Sequence, residues 1–375
     1  MKKKILFISN VDWFFISHRL PIALEAIKKG YEVHLATKCT DKKSFLIKKG
    51  FVIHSIELDR TQKNLINFSK ILAHIFKIVY EVEPSIIHAI TIKPVIIGGF
   101  ASRILNIPFV ASISGLGYVF VSRGIRSTLT KFVVTLLYKL ALSGQNIKVI
   151  FQNIDDEKII SSICNLKLNQ KVLIHGSGVD LDIYKPKNKK SKDKIILFAS
   201  RLLKSKGLLE FVKSAELLKF KNLKFLIAGK FDHENPDCIE FERMNDWVSR
   251  GIVDYVGYNE NIINLINYSN IVVLPSYYGE GLPKILIEAS ACGIPIITTN
   301  HPGCRDAIIN EVTGLLVPIK DHKALSSAIL RLIENPQLSK KMGESGRKLA
   351  LKKYDIKKVV NKHISIYEDL ISKIN

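Results

Sequence analysis

Residues 5–36 read ILFISNVDWFFISHRLPIALEAIKKGYEVHLA, and the fold follows from this stretch. Ile5–Ser9 is a short apolar run ending in a polar turn. His18–Lys29 carries a helical pattern that stops at Gly30, and Tyr31–Ala36 is apolar again. Strand, helix, glycine, strand is the signature of a βαβ unit in a parallel sheet. The first apolar run is too short for a secretory leader, soon meets Asp12 and has no small-residue cleavage site after it. It reads as a buried first strand.

The alternation continues outward. Strands are expected near Val52–Ile56, Ile86–Ala89, Phe109–Ser112 and Lys148–Gln152, with helices over Leu65–Tyr80, Pro94–Leu105 and Thr128–Leu142. The polar, Lys-rich stretch Lys185–Lys194 reads as a linker or exposed loop. A second series follows it, with strands at Ile195–Ala199, Phe225–Ala228, Val253–Val256, Ile271–Pro275 and Pro295–Thr298. Its helices are expected at Leu208–Leu218, Asn261–Asn267 and Pro283–Cys292. The reading is an α/β chain of two Rossmann-like domains facing across a cleft, residues 1–180 and 181–355. Ligands would sit at the carboxyl ends of the strands. The amphipathic last helix, about 356–375, could pack back on the first domain.

The 375 residues carry 56 Lys+Arg and 34 Asp+Glu, a formal charge of +22. The 47% hydrophobic and 24% charged composition excludes a disordered or fibrous chain. Such a charge favours polyanions: nucleic acid, anionic lipid or phosphorylated substrates. Pro84–Ile154 contains no Asp or Glu but seven Lys/Arg. The five cysteines form no CxxC pair, which fits a reducing compartment without structural zinc. No apolar run is long enough for a transmembrane helix. Nucleic-acid binding lacks any supporting motif. A dinucleotide enzyme is excluded because Ser9-Asn-Val-Asp-Trp-Phe14 replaces the glycine-rich turn after the first strand.

In the second half, Arg201 and Lys206 occupy a loop leading into a helix. Two cations there suit a diphosphate, although a solvated basic loop would read the same way. Gly279-Glu-Gly-Leu-Pro-Lys-Ile-Leu-Ile-Glu-Ala289 places Glu280 at a strand-to-helix turn. Gly281 lets backbone approach a ligand, and Pro283 suits the first helical turn. The N–H groups at that helix start form an anion site. Glu288 falls among apolar residues and therefore needs a partner, either ribose hydroxyls or a nearby Arg.

Arg201…Lys206-Gly207, Glu280-Gly-Leu-Pro…Glu288-Ala and Gly293-Ile-Pro-Ile-Ile297 together resemble the retaining GT-B glycosyltransferases of family 4. Ser177-Gly-Val-Asp180 and Thr313-Gly-Leu-Leu-Val317 extend the resemblance over essentially the whole chain. The resemblance implies that Glu280 contacts donor-sugar hydroxyls and Glu288 holds a ribose. It implies that Arg201 and Lys206, helped by the Gly281 and Leu282 N–H groups, stabilise a departing diphosphate, so that no metal or other cofactor is required. The nucleotide base would rest near Gly229, Lys230 and Tyr258.

In the first half, Asn10-Val-Asp-Trp-Phe-Phe-Ile-Ser-His-Arg-Leu-Pro21 reads as a βα turn rich in aromatic side chains. Trp13 and Phe14 could instead cap the core. The stretch is similar to the opening of a bacterial subgroup that builds capsules, O-antigens and protein-linked glycans on lipid carriers. Its members include an N-acetylgalactosaminyltransferase acting on diacetylbacillosaminyl-diphospho-undecaprenol. The likeness implies a UDP-hexosamine or UDP-hexose donor and an undecaprenyl-diphosphate-linked acceptor. Asn10, Trp13, Phe14, His18, Arg19 and Lys93 would bind that acceptor. Ser114 and Gly115, in Ser112-Ile-Ser-Gly-Leu-Gly-Tyr118, would lie near the donor sugar, with Ser where many relatives have His. Retention is usually ascribed in this family to same-face displacement without an enzyme base. Arg123, Arg126, Lys131 and Lys139 in or beside the apolar helix around Phe132–Tyr138 suit an anionic membrane surface. A cytoplasmic protein peripheral on the inner face of the membrane is expected. The nearer alternatives are a nucleotide-sugar epimerase and a transferase to a non-lipid acceptor.

Overall fold

The computed structural model describes residues 2–58, 65–117, 125–187, 193–259 and 261–373. The chain forms two compact units. One holds the residues up to Ser177 and those from Ile356 onward, and the other holds Gly178–Asp355. The division thus falls ahead of Asp180, where the sequence suggested it. Residues 188–192 of the Lys-rich stretch lie outside the described residues.

The first unit is a parallel sheet of seven strands in the order β3-β2-β1-β4-β5-β6-β7. The strands are β1 (Lys4–Val11), β2 (Glu32–Lys38), β3 (Val52–Ser55), β4 (Ile86–Ile90), β5 (Phe109–Ile113), β6 (Ile147–Phe151) and β7 (Lys171–Leu173). Ile5, Leu6, Phe7 and Ile8 are all fully buried, as expected of a parallel strand covered on both faces. Separate apolar clusters lie on the two faces of the sheet. The helix Ile356–Ser372 contributes Val359, Ile364, Tyr367 and Leu370 to one of them. Each such buried side chain is worth about 1.5–3 kcal/mol against exposure, which fixes the C-terminal helix to this unit.

The second unit has six parallel strands in the order β10-β9-β8-β11-β12-β13. They are β8 (Ile195–Ala199), β9 (Lys224–Ala228), β10 (Asp254–Tyr255), β11 (Ile271–Leu274), β12 (Ile296–Thr299) and β13 (Gly314–Val317). This is the doubly wound order, in which the strand sequence reverses between the first strand and the fourth. The same reversal lies between β1 and β4 in the first unit, and each reversal defines a crevice at the strands' carboxyl ends.

Two sequence expectations change. The first helix is Asp12–Lys28, so the aromatic stretch after Asn10 is helical and not a turn. Its buried face is Asp12, Phe15, Arg19 and Ile22, and the two charged residues on that face hide the apolar period. Pro283 precedes the helix Lys284–Ala291 as its N-cap and does not occupy its first turn. Several elements also went unread: helices Ile154–Cys164, Phe241–Ser249, His322–Glu334 and Pro336–Lys353, and strands β7 and β13.

Candidate active site

In the second unit the crevice between β8 and β11 is built by two loops. The loop after β8 passes Arg201 and tightens into a single turn, Lys204–Lys206, before Gly207. Gly207 has φ +79, and a Cβ there would strike the carbonyl of Pro275. Glycine is needed for the Lys206 turn to lie against the segment leaving β11. That segment carries Ser276, Tyr278 and Glu280. Gly303, also at positive φ, backs it so closely that a Cβ would hit the Glu280 and Gly281 carbonyls.

The side chains converge. Lys206 Nζ forms an ion pair with Glu280 Oε1, and Ser276 Oγ donates to the same oxygen at 3.1 Å. Arg201 donates to Asp232 Oδ2 at 2.7 Å. The Tyr278 ring faces both cations, 5.0 Å from Lys206 Nζ and 5.8 Å from Arg201 Cζ. Burial lowers the pKa of Lys206 from the ordinary lysine value, and Glu280 opposes the shift. For Arg201 burial also acts downward, but Tyr278 and Asp232 outweigh it and the group is held more firmly cationic.

Glu288 is buried one turn into the following helix. Its partners are Lys284 Nζ at 3.5 Å and the Tyr184 hydroxyl, not the arginine envisaged from sequence. Burial raises its pKa against those two interactions. Gly281, Leu282 and Pro283 are buried, and no side chain caps the helix they introduce. Lys230 is exposed and lies 5.7 Å from the Tyr258 ring, while the Tyr255 hydroxyl donates to the Gly229 carbonyl at 3.0 Å. Sequence reasoning missed Asp232, Tyr278, Ser276 and Tyr184. Only Tyr278 carried a signal, as an aromatic two residues ahead of Glu280.

In the first unit Asn10, at the end of β1, donates to Thr91 Oγ1 at 2.7 Å across the β1/β4 reversal. Thr91 sits at φ +74, a strained conformation for a β-branched residue. Lys93 is the second residue of the helix Ile92–Leu105 that starts there. His18 stacks on Phe14 with centroids 4.2 Å apart, and Trp13 is partly exposed at the helix start. Arg19 is buried and donates to Ser114 Oγ at 3.4 Å. Ser114 and Gly115 are half-buried in the segment leaving β5. Arg123 and Tyr118 lie outside the described residues, and Arg126 is in the helix Ile125–Ala141 with Lys131. Among the described residues no group of three or more His, Cys, Asp or Glu is placed to hold a metal ion. No helix among them is long and apolar enough to cross a membrane.

Paired doubly wound sheets, with cations and a buried carboxylate at one reversal point, define the GT-B class of fold. Solved structures agree: the fold matches sucrose-phosphate synthase from Thermosynechococcus elongatus with TM-score 0.81 at 21% identity, covering 99% of this chain and 100% of that one. It matches Anabaena HepE in complex with UDP with TM-score 0.76 at 18% identity, covering 99% and 100%. Residues 179–349 match the model for glycosyl transferases group 1, and residues 4–153 match the glycosyl transferase 4-like model. The chain is a GT4-like glycosyltransferase. It is 29% identical, over 99% of its length and 100% of the relative's, to the N,N'-diacetylbacillosaminyl-diphospho-undecaprenol alpha-1,3-N-acetylgalactosaminyltransferase of Campylobacter jejuni. An Escherichia coli UDP-Gal:alpha-D-GlcNAc-diphosphoundecaprenol alpha-1,3-galactosyltransferase is 26% identical over 82% of this chain and 81% of that protein.

Proposed function

We propose that this enzyme transfers a sugar, an N-acetylhexosamine or hexose, from a UDP-sugar to a saccharide carried on undecaprenyl diphosphate, with retention at the anomeric carbon. The product belongs to a surface polysaccharide or glycan. The observation that carries the reading is the full-length similarity to a transferase with such an acceptor. The arrangement of Lys206, Arg201 and Glu280 supports it chemically. As the glycosidic bond to the nucleotide breaks, negative charge grows on the leaving diphosphate. Two preorganised cations in a partly buried site stabilise that charge without solvent reorganisation. In this reading they take the role a divalent metal plays elsewhere, so activity persists in chelator. Displacement on the same face of the sugar ring requires no side chain to remove the acceptor proton.

Acceptors of this kind reside in a bilayer, and the helix Ile125–Ala141 is suited to reach one. Phe132, Leu136 and Leu140, spaced by four, are 67%, 49% and 40% exposed, with exposed Lys131 and Lys139 beside them. An apolar stripe flanked by cations matches the interface of an anionic membrane. The enzyme would therefore work on the cytoplasmic face, attached peripherally.

The test is a hydrolysis screen of nucleotide sugars, followed by transfer to a short-chain prenyl-diphosphate sugar. Interconversion of the free nucleotide sugar without transfer would establish an epimerase instead. In parallel, the protein should co-sediment with anionic vesicles in a salt-sensitive manner. Phe132→Ser with Leu136→Ser, or charge reversal of Arg126 and Lys131, should release it. Salt-independent binding, or none, rejects the membrane face.

A further inference from the structure

Helix Asp12–Lys28 turns Arg19 into the unit, where it is 1% exposed. One terminal nitrogen donates to the His18 carbonyl at 2.9 Å and the other to Ser114 Oγ at 3.4 Å. The Nε–H is buried and has no acceptor. No carboxylate pairs with this guanidinium among the described residues. Asp12, on the same buried helix face, lies seven residues away, about 10 Å along the axis. Its oxygens are taken by the Thr40 N–H and hydroxyl and by the Trp13 N–H, at 2.6–2.7 Å.

The groups around Arg19 do not neutralise it. His88 Nε2 meets Ser112 Oγ at 2.8 Å and its Nδ1 meets the Tyr367 hydroxyl at 2.6 Å. His363 stacks on His88 with centroids 5.8 Å apart and bonds through Nδ1 to the Val359 carbonyl at 2.8 Å. Burial pushes His363 down to about 3 and holds His88 well below the ordinary histidine range, so both are neutral at physiological pH. Arg19, lowered by burial to about 10, keeps its charge. A buried cation without a counter-ion costs several kcal/mol, and removing it from water is worthwhile only where an anion completes the site.

We propose that Arg19 is the fixed charge of an anion site whose accessible surface is the Ser114–Gly115 turn, and that this turn takes the diphosphate of an isoprenoid-linked acceptor and not the donor sugar that the resemblance implied there. His88, His363 and Tyr367 are positioning residues. They clamp the inner wall, and through Ser112 they hold the strand that delivers Ser114. Gly115, at φ +97, lets the turn bend away and expose its backbone. Two of the three clamps come from the C-terminal helix and the third, His88, bonds to it, so that helix reaches the site without touching ligand. The identity of the anion rests on the acceptor class proposed above.

The experiment measures binding rather than transfer. Geranyl diphosphate and inorganic pyrophosphate are titrated calorimetrically into the full chain with saturating UDP, which occupies the nucleotide site. Wild type is expected to bind both, and Arg19→Gln to weaken both by about tenfold to a hundredfold, with UDP affinity unchanged as the check on folding. Arg19→Lys should fall between them. Undiminished diphosphate binding by Arg19→Gln overturns the assignment, as does a loss confined to the prenyl compound. Tyr367→Phe leaves the charge in place and should raise the KM for lipid acceptor severalfold more than it lowers kcat. A pure kcat loss rejects the positioning role. Wild-type diphosphate binding without transfer to any lipid-linked sugar would sink the proposed reaction but leave the anion site standing.

Discussion

The two units answer the same topological question with opposite electrostatics. Each places a polar contact across the strand reversal: Lys206 with Glu280 in one, Asn10 with Thr91 in the other. In the second unit the cations around Glu280 and Glu288 are already compensated, Lys206 by Glu280, Arg201 by Asp232 and Lys284 by Glu288. In the first unit the buried cation, Arg19, has only carbonyl and hydroxyl partners. A compensated cation gains little from a resting ligand and most when a phosphate oxygen outcompetes its carboxylate. Such a site favours the charge that develops during bond breaking. An uncompensated cation gains as soon as an anion arrives, which is how a binding site behaves. On the function proposed above, leaving-group chemistry would belong to the second unit and acceptor capture to the first.

The largest effect that could break this comparison concerns Lys206 and Glu280. Lys206→Ala and Glu280→Ala should each lower kcat by about 10²–10³-fold, the scale for losing one preorganised stabiliser of transition-state charge. Each single change also strands a buried partner, at roughly 3–5 kcal/mol of stability. The double variant should therefore be more stable than either single one while remaining inactive. Chemical denaturation alongside single-turnover kinetics checks both halves. If stability losses simply added, the two groups would not form the compensated pair on which the assignment depends.

A smaller effect belongs to Glu288. Glu288→Gln retains size and one acceptor but loses the charge that Lys284 and Tyr184 hold. It should raise the KM for nucleotide sugar about tenfold while leaving kcat within a factor of a few, a binding signature. An equal fall in kcat and kcat/KM would move Glu288 into the chemistry and weaken the division between Glu280 and Glu288.

The fold was legible because the strands of a covered parallel sheet are uninterrupted apolar runs. β8 was read at its observed bounds, Ile195–Ala199. Helices whose buried positions are small or polar were not legible. Pro336–Lys353 buries only Met342 and Leu349 among large apolar side chains and otherwise packs through Gly343, Gly346 and Ala350, and a Cβ on Gly343 would strike the Gly293 carbonyl, so close approach thins the hydrophobic period there. The helix from Asp12 was misread because Asp12 and Arg19 occupy its inward stripe. Arg201, Lys206 and Glu280 could be picked out because they follow strand ends, and Glu288 because it is a carboxylate set among apolar helix residues eight positions after Glu280. Their partners could not. Asp232 and Tyr184 are separated in sequence from the groups they serve, and nothing local marks them. The uncompensated state of Arg19 is visible only once its neighbours are known to be neutral.

The smallest effect is a pH dependence that should separate the units. His363 titrates near 3 when folded against about 6.5 in an unfolded chain, and His88 is lowered in the same direction. A base with a depressed folded pKa binds protons in the unfolded state first. Its contribution to stability is complete above pH 6.5 and is lost as pH falls toward 3. Going from pH 6.5 to 5.5 should destabilise the first unit by about 1 kcal/mol through His363, with His88 adding in the same direction. Glu288 works the other way. Burial raises its folded pKa, so the folded second unit takes up a proton before the unfolded chain does and gains stability on acidification. Hydrogen exchange across this range should show amides of β1, β4 and the helix Ile356–Ser372 losing protection while those of β8 and β11 hold theirs. His363→Phe should remove its own share of the first unit's loss and make the slope shallower. Parallel loss in both units, or a slope unchanged in His363→Phe, would mean the histidines are not the neutral wall around Arg19 that sets the first unit apart.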